Sequence, residues 1–184
     1  MKKITLLGIV ALLVFGNCSY KATVEPAAPV LPDISYEGKN IFGCMANGQV
    51  WQNAGTTQGP YSSTIQNTIF SLFYIYQKKD NANLTLKGRM TYANSDQNFE
   101  FTILNKELPK TGAYQVKICQ FNDLLKRIDY ISVDSLKPFY VNIIKFDTTN
   151  KIVSGTFDGT LFTQFTKEKM LISKGRFDVK YDKN

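Results

Sequence analysis

The chain has 184 residues, 43% of them hydrophobic and 20% charged, with a formal net charge of +7 at pH 7. It has no histidine and three cysteines, which excludes Ser-His-Asp and Cys-His catalysis, histidine-based zinc sites and four-cysteine zinc sites. The positive charge is scattered without a block of like charges, so no nucleic-acid partner is predicted. Phosphate-binding and dinucleotide-binding motifs are absent from the sequence, and we predict neither a metal nor a cofactor.

The N-terminus has the pattern of an export signal. Lys2 and Lys3 precede an apolar run from Ile4 to Phe15, which is too short to span a bilayer as a helix. We therefore predict that residues 1–17 are a signal peptide. A buried N-terminal core helix is the alternative, but the lysines and the abrupt polar break favour export.

Cys18 lies three residues after the end of this run and is the candidate lipidation residue. No Ala-x-Ala site for ordinary cleavage is present, whereas the stretch VFGNC resembles a bacterial lipobox, with Gly16 acceptable and Phe15 and Asn17 unusual. Acyl chains on Cys18 would anchor the protein to a membrane, since each buried methylene contributes about 0.8 kcal/mol. Removal of Lys2 and Lys3 with the signal lowers the net charge from +7 to +5.

Residues 18–38 are predicted to form a tether. Pro26, Pro29 and Pro32 recur every third residue among small residues, which is typical of an extended polyproline-like spacer. A short strand using VLPDI is the alternative.

From residue 39 to 184 apolar residues alternate with polar ones, which predicts antiparallel strands with one face exposed to solvent. Asn47-Gly48 and the stretch DTTNK at 147–151 predict hairpin turns. The run at 64–77 fits either a buried strand, favoured by its aromatic and β-branched residues, or a helix, and NDLLKRIDY is similarly ambiguous. The residues expected to point inward are Leu84, Leu86, Met90, Tyr92, Phe99, Phe101, Ile103, Tyr114, Val116, Ile118, Val153, Phe157, Leu161, Leu171, Phe177, Val179 and Tyr181.

The predicted fold class is therefore all-β, a single antiparallel β-sandwich or a strongly curved, partly closed barrel of about nine to ten strands. Glycines in the inward phase of several strands indicate curvature, because such glycines mark bends and bulges. They are Gly88, Gly155, Gly159 and Gly175.

Four stretches, FGCMANGQVW, TGAYQV, KIVSGTFDGTLF and ISKGRFDVKY, together resemble a family of Bacteroidota lipoproteins of unknown function. The resemblance covers residues 39–183 and rests on turns, glycines and strand faces. It implies a β fold at the cell envelope, at the outer membrane and facing either the periplasm or the surface. It implies no catalytic residues.

Paired carboxylates are the one enzymatic option, because glycoside hydrolases need only two of them. Asp158 and Asp178 lie in the outward phase of late strands and could approach each other if these strands pair. The alternative is that both are exposed strand residues beside Lys174, Arg176 or Lys180. A carboxylate-based glycan hydrolase is therefore the second functional hypothesis.

Two surface patterns suggest binding instead. Outward basic residues would form one face toward lipid phosphates or an acidic glycan if their strands adjoin, although solubility explains them equally well. They are Lys87, Arg89, Lys117, Lys174, Arg176 and Lys180. Tyr36, Trp51, Tyr61, Tyr74 and Tyr76 could supply an aromatic binding surface, although core packing is the commoner fate of such residues.

Cys44 and Cys119 could pair in an oxidising compartment or remain two separate thiols, and an outward phase for Cys119 favours separate thiols. Asp147-Thr148-Thr149 and Asp134-Ser135-Leu136 resemble the short signal at which Bacteroidota O-glycosylate exported proteins, which makes Thr148 and Ser135 candidate acceptors. Ordinary turn formation explains the same residues. The first functional hypothesis is a lipid-anchored envelope protein whose non-catalytic β domain is structural or binds a glycan, a lipid or an envelope protein.

Overall fold

The computed structural model describes residues 29–54, 56–57, 66–67, 71–78, 81–92, 95–133, 136 and 138–183. Every regular element in these ranges is a β-strand, and no helix among them is long and apolar enough to cross a membrane. The predicted signal peptide, Cys18, residues 19–28 of the tether, Tyr61 and Ser135 lie outside the described residues.

The strands are β1 (Ile41–Ala46), β2 (Gln49–Gln52), β3 (Thr56–Thr57), β4 (Gln66–Asn67), β5 (Ser71–Lys78), β6 (Asn81–Tyr92), β7 (Ser95–Asn105), β8 (Gly112–Val116), β9 (Ile118–Asp123), β10 (Ile128–Val133), β11 (Phe139–Asp147), β12 (Ile152–Thr163), β13 (Lys169–Lys180) and β14 (Asp182–Lys183). The ambiguous run at 64–77 contains β4 and most of β5. The stretch NDLLKRIDY contains the end of β9, a turn and the start of β10.

The two predicted turns connect neighbouring antiparallel strands in the structure. Asn47 and Gly48 connect β1 to β2, and their φ angles of 47° and 81° are the positive values that a type I′ turn requires. The stretch at 147–151 connects β11 to β12, where Asp147 pairs with Ile152. Both predicted hairpins are confirmed.

The main sheet follows the order β14-β5-β6-β7-β9-β10-β12-β13-β1-β2, with β11 pairing β12 and β8 beside this path. All its pairs are antiparallel except β14 with β5. The segment after β2 meets β6, where the Thr91 N–H donates a 3.0 Å hydrogen bond to the Ala54 carbonyl. The sheet is thus nearly closed and barrel-like, which confirms the predicted all-β, strongly curved fold.

Aromatic side chains fill the middle of this barrel. Phe42 is central, because its ring centroid lies 5.2–5.7 Å from those of Trp51, Phe99, Phe101 and Phe157. Each of these buried rings removes apolar area from water and contributes about 1.5–3 kcal/mol. The middle of the barrel is therefore a packed core. The largest fully buried side chains are Trp51, Phe42, Phe99, Phe101, Phe121, Phe139, Phe157, Phe177, Leu84, Leu86 and Ile103.

Two predicted strand phases are wrong. Ile118 was expected inside and Cys119 outside, but the chain bends at Lys117 between β8 and β9, so Ile118 is exposed and Cys119 is buried. Leu171 was also expected inside but is 50% exposed. A β-bulge at Lys174, where φ is 50°, inserts one residue into β13 and reverses the phase before it.

The segment before β1 lies against the outside of the barrel. Arg176 Nη1 donates a 2.7 Å hydrogen bond to the Pro32 carbonyl, and Lys145 Nζ donates one of 2.8 Å to the Tyr36 carbonyl. The backbone N–H groups of residues 37–39 bind Asp178. Residues 32–38, assigned to the tether from the sequence, therefore contact the folded domain.

Candidate functional site

A cavity of about 510 Å³ opens at one end of the barrel, and we call it the mouth cavity. The β1–β2 turn, the β9–β10 turn and the starts of β7 and β13 surround it. Pro29, the first described residue, also lines it. Its lining residues are Pro29, Ala46, Asn47, Gln49, Val50, Trp51, Met90, Ser95, Gln97, Phe121, Asp123, Lys126, Ile128, Tyr130 and Met170.

The inner part of the mouth cavity is apolar. Trp51 and Phe121, which are buried, lie where the cavity meets the aromatic core, with their ring centroids 6.3 Å apart. Met90 and Met170 are also buried and line the cavity. Methionine side chains are flexible and polarisable, so they can adapt to differently shaped apolar groups.

The rim of the cavity carries a small charged network. The buried Asp123 carboxylate accepts hydrogen bonds from Gln97 Nε2 (3.1 Å) and the Lys126 backbone N–H (3.0 Å), and Lys126 Nζ lies 3.4 Å from Oδ2. Burial acts to raise the pKa of Asp123, but the hydrogen bonds from Lys126 and Gln97 and the Lys126 charge outweigh it, so the pKa is lowered. Asp123 is therefore ionised at neutral pH.

Two buried polar groups lining the cavity have no hydrogen-bond partner within the described part of the chain. They are the indole N–H of Trp51 and the hydroxyl of Ser95. A buried polar group without a partner costs about 1–3 kcal/mol, so such groups are rare and require an explanation. A bound ligand whose oxygens form hydrogen bonds with these two groups would supply the missing partners.

The two candidate catalytic carboxylates do not form a hydrolytic pair. Asp158 is exposed on β12, whereas Asp178 is 1% exposed and pairs in register with Ser154, four residues before Asp158. Four residues of strand correspond to about 13 Å, beyond the roughly 5–9.5 Å that separates glycosidase carboxylates. The expectation that Asp178 is exposed is also wrong, because the segment at 37–39 covers it.

The six candidate basic residues do not lie on one face. Lys87 and Arg89 are on β6, where Lys87 Nζ lies 3.3 Å from Glu100 and Arg89 binds both carboxylate oxygens of Asp96 at 2.7 Å. Lys174, Arg176 and Lys180 are on β13, separated from β6 by β1 and β2, and Lys117 lies at the bend before β9.

Cys44 and Cys119 are both buried free thiols. Burial raises the pKa of Cys44, and burial followed by the neighbouring Cys44 raises that of Cys119. Both side chains are therefore protonated and unreactive at neutral pH. Within the described ranges, no group of three or more His, Cys, Asp or Glu residues is placed to bind a metal ion.

The remaining candidates are scattered. Thr148 is exposed in the β11–β12 turn, where Asp147 accepts hydrogen bonds from the N–H groups of Thr149 and Asn150. Tyr36 is exposed, whereas Trp51 is buried, so these two do not share an aromatic surface. Tyr74 and Tyr76 lie on β5.

The sequence does not predict the mouth cavity, although it offers Trp51 as a candidate surface aromatic. Asp123 and Lys126 lie in the stretch NDLLKRIDY, which the sequence leaves ambiguous, and Gln97 lies two residues before the alternating strand residue Phe99. The stretch NDLLKRIDY held the available signal, an aspartate three residues before a lysine across a turn. No protein-family model, curated protein or solved structure matches this chain.

Proposed function

We propose that this protein is an exported, lipid-anchored binding protein of the cell envelope, which takes a small amphipathic ligand in its mouth cavity. The observation that carries the binding role is the cavity itself. Its volume of about 510 Å³ lies in the range of small-molecule sites, and it combines an apolar inner part with a few convergent polar groups.

The lipid anchor is supported by the sequence. Lys2 and Lys3, the apolar run and the position of Cys18 fit a lipoprotein signal, and the resemblance to Bacteroidota lipoproteins favours the outer membrane. Replacing Cys18→Ser should abolish acylation and release the protein from the membrane fraction. A variant that stays acylated and membrane-bound would show that Cys18 is not the anchor.

The lining favours a ligand with two chemically distinct parts. Trp51, Met90 and Met170 suit an aromatic or aliphatic group, whereas the Trp51 N–H and the Ser95 hydroxyl suit hydrogen-bond acceptors on the ligand. Lys126 at the rim favours an anionic or strongly polar end group. The class is therefore an amphipathic molecule with an apolar body and an oxygen-rich or anionic end.

Trp51 is the only tryptophan of the chain and lines the cavity, so it reports on occupancy. We choose 1-anilinonaphthalene-8-sulfonate as the probe, since it has apolar rings and one anionic group. Saturable energy transfer from Trp51 to this probe is expected. Absence of saturable transfer would contradict binding in the mouth cavity.

Met170 and Leu171 offer a matched pair of variants, because these neighbours lie on opposite faces of β13. Met170→Gln should weaken probe binding by about tenfold, equivalent to about 1.4 kcal/mol, while Leu171→Gln should leave it unchanged. Circular dichroism would verify that both variants are folded. Equal weakening in both would place the probe outside the cavity.

A further inference from the structure

Two neighbouring turns at the mouth end of the barrel expose large apolar side chains. The β9–β10 turn contains Leu124, which is 42% exposed, and Leu125, which is 57% exposed. The loop at 164–168 between β12 and β13 contains Phe165, which is 87% exposed. The turns adjoin, since β10 pairs with β12 through Tyr130 and Thr163. We call them the apolar turns.

Hydrogen bonds hold both turns in shape. The Leu124 N–H donates to the Asp96 carbonyl at 2.8 Å, which ties the first turn to β7. Thr163 closes the loop, because its N–H donates to the Glu168 carbonyl and its hydroxyl accepts from the Glu168 N–H, each at 3.0 Å. Phe165 therefore projects from a closed loop with its large ring exposed to water. A binding partner would cover this ring.

Basic residues surround the apolar turns. Lys126 is paired with the buried Asp123, and the three remaining cations outnumber by one the two exposed acids beside them, Asp129 and Glu168. Apolar tips flanked by lysine and arginine are the pattern of proteins that insert into the interface of anionic membranes. The cations are Lys126, Arg127, Lys167 and Lys169.

The path of the N-terminal segment points to the same end. Pro29 lines the mouth cavity, and eleven residue steps separate it from Cys18. A fully extended chain of that length spans at most roughly 40 Å. The twelve-residue strands β12 and β13 are about 40 Å long. Residues 18–29 would therefore have to be almost fully extended for Cys18 to reach the opposite end of the barrel.

We infer that the apolar turns dock onto an anionic lipid bilayer, with Leu124, Leu125 and Phe165 in the interface and the mouth cavity facing the headgroups. This inference rests on the proposed lipid anchor, which confines the mouth end of the domain near the membrane. A protein partner is the competing occupant. The placement of the exposed side chains on turn tips beside the anchored end, rather than on a flat strand face, favours the bilayer.

The test uses the full processed, acylated protein in vesicles of phosphatidylcholine and phosphatidylglycerol, with and without bromine on the lipid chains. In Phe165→Trp, bromine should remove about half of the added fluorescence, because the indole would lie about 5–10 Å into the headgroup–acyl boundary. The matched control is Leu104→Trp. Leu104 is a 51% exposed residue near the opposite end of the barrel, and its tryptophan should not be quenched.

Charge reversal gives the second arm of the experiment. In the Phe165→Trp background, Lys126→Glu with Arg127→Glu should reduce quenching at least twofold, whereas Lys106→Glu with Lys110→Glu near the other end should not. Equal quenching in the Phe165→Trp and Leu104→Trp proteins, or none in either, overturns the docking inference. If this happens while mass measurement shows acyl chains on Cys18, the anchor stands and docking alone fails. An unacylated protein overturns both.

Discussion

The backbone N–H of Gly38 donates a 2.8 Å hydrogen bond to the carboxylate of Asp178, across 140 residues of sequence. The same carboxylate accepts hydrogen bonds from the N–H groups of Glu37 and Lys39, at 3.0 and 3.1 Å, and from the Ser154 hydroxyl at 2.7 Å. This single buried side chain therefore binds the N-terminal segment to β12 and β13. It holds residues 37–39 of the predicted tether against the folded domain.

Asp178→Asn should destabilise the fold by about 2–4 kcal/mol, because the neutral amide cannot accept all four hydrogen bonds and leaves buried donors unpaired. Denaturant unfolding followed by circular dichroism measures this. Asp158→Asn, an exposed change on β12, is the control and should shift the free energy of unfolding by less than about 0.5 kcal/mol. Similar small effects from both substitutions would contradict the role of Asp178.

The same carboxylate should make the free energy of unfolding depend on pH under acidic conditions. Burial acts to raise the pKa of Asp178, but hydrogen bonds from Ser154, Lys39 and Gly38 outweigh it, so the folded-state pKa lies below the ordinary value. Asp178 therefore makes its full contribution to the free energy of unfolding above about pH 5, beyond its unfolded-state pKa of about 3.9. This contribution is lost as the pH falls through the pKa of Asp178 in the folded state.

Unfolding free energies measured from pH 7 to pH 2.5 should therefore fall more steeply for the wild type than for Asp178→Asn. The two curves should converge at the acid end. Parallel curves across this range would show that the folded-state pKa of Asp178 is not lowered.

Alternation alone predicted the strand interiors correctly wherever the pairing is regular, as for Phe99, Phe101 and Ile103. It failed where one residue is added or a strand bends, at Lys174 and Lys117. A bulge changes the phase without changing the composition, so periodicity cannot locate it.

The sites were less predictable than the strands. Asp178 lies in the outward phase, and its burial depends on a segment 140 residues earlier in the chain. The mouth cavity combines side chains from the ends of several strands, including Trp51, Gln97 and Asp123. Only the closure of the sheet brings these residues together, and sequence spacing does not encode that closure.

Gly175, beside the bulge on β13, occupies a position that only glycine can occupy. A Cβ atom on Gly175 would lie 2.3 Å from the Phe157 carbonyl oxygen and 2.4 Å from its ring. Gly175→Ala should therefore destabilise the protein by about 1–3 kcal/mol, as expected for overpacking, with a lowered melting temperature as the readout. Ser173→Ala on the same strand is the control, and equal melting temperatures for both variants would contradict this account.

The two buried cysteines should behave as separate, unreactive thiols. We expect two free thiols per acylated chain after denaturation without reductant, and almost no alkylation of the native protein over the same time, because burial raises both pKa values. Cys44→Ala should lower the denatured count to one. A denatured count of zero for the unaltered protein would show that Cys44 and Cys119 form a disulfide.

The central claim, that the protein is processed at Cys18 and anchored by lipid, is tested most directly by the intact mass of the protein purified from its native membrane. The account predicts a polypeptide whose first residue is Cys18, carrying the additional mass of acyl chains that is absent from the Cys18→Ser protein. A mass equal to the unmodified polypeptide, or an N-terminus other than Cys18, would contradict it.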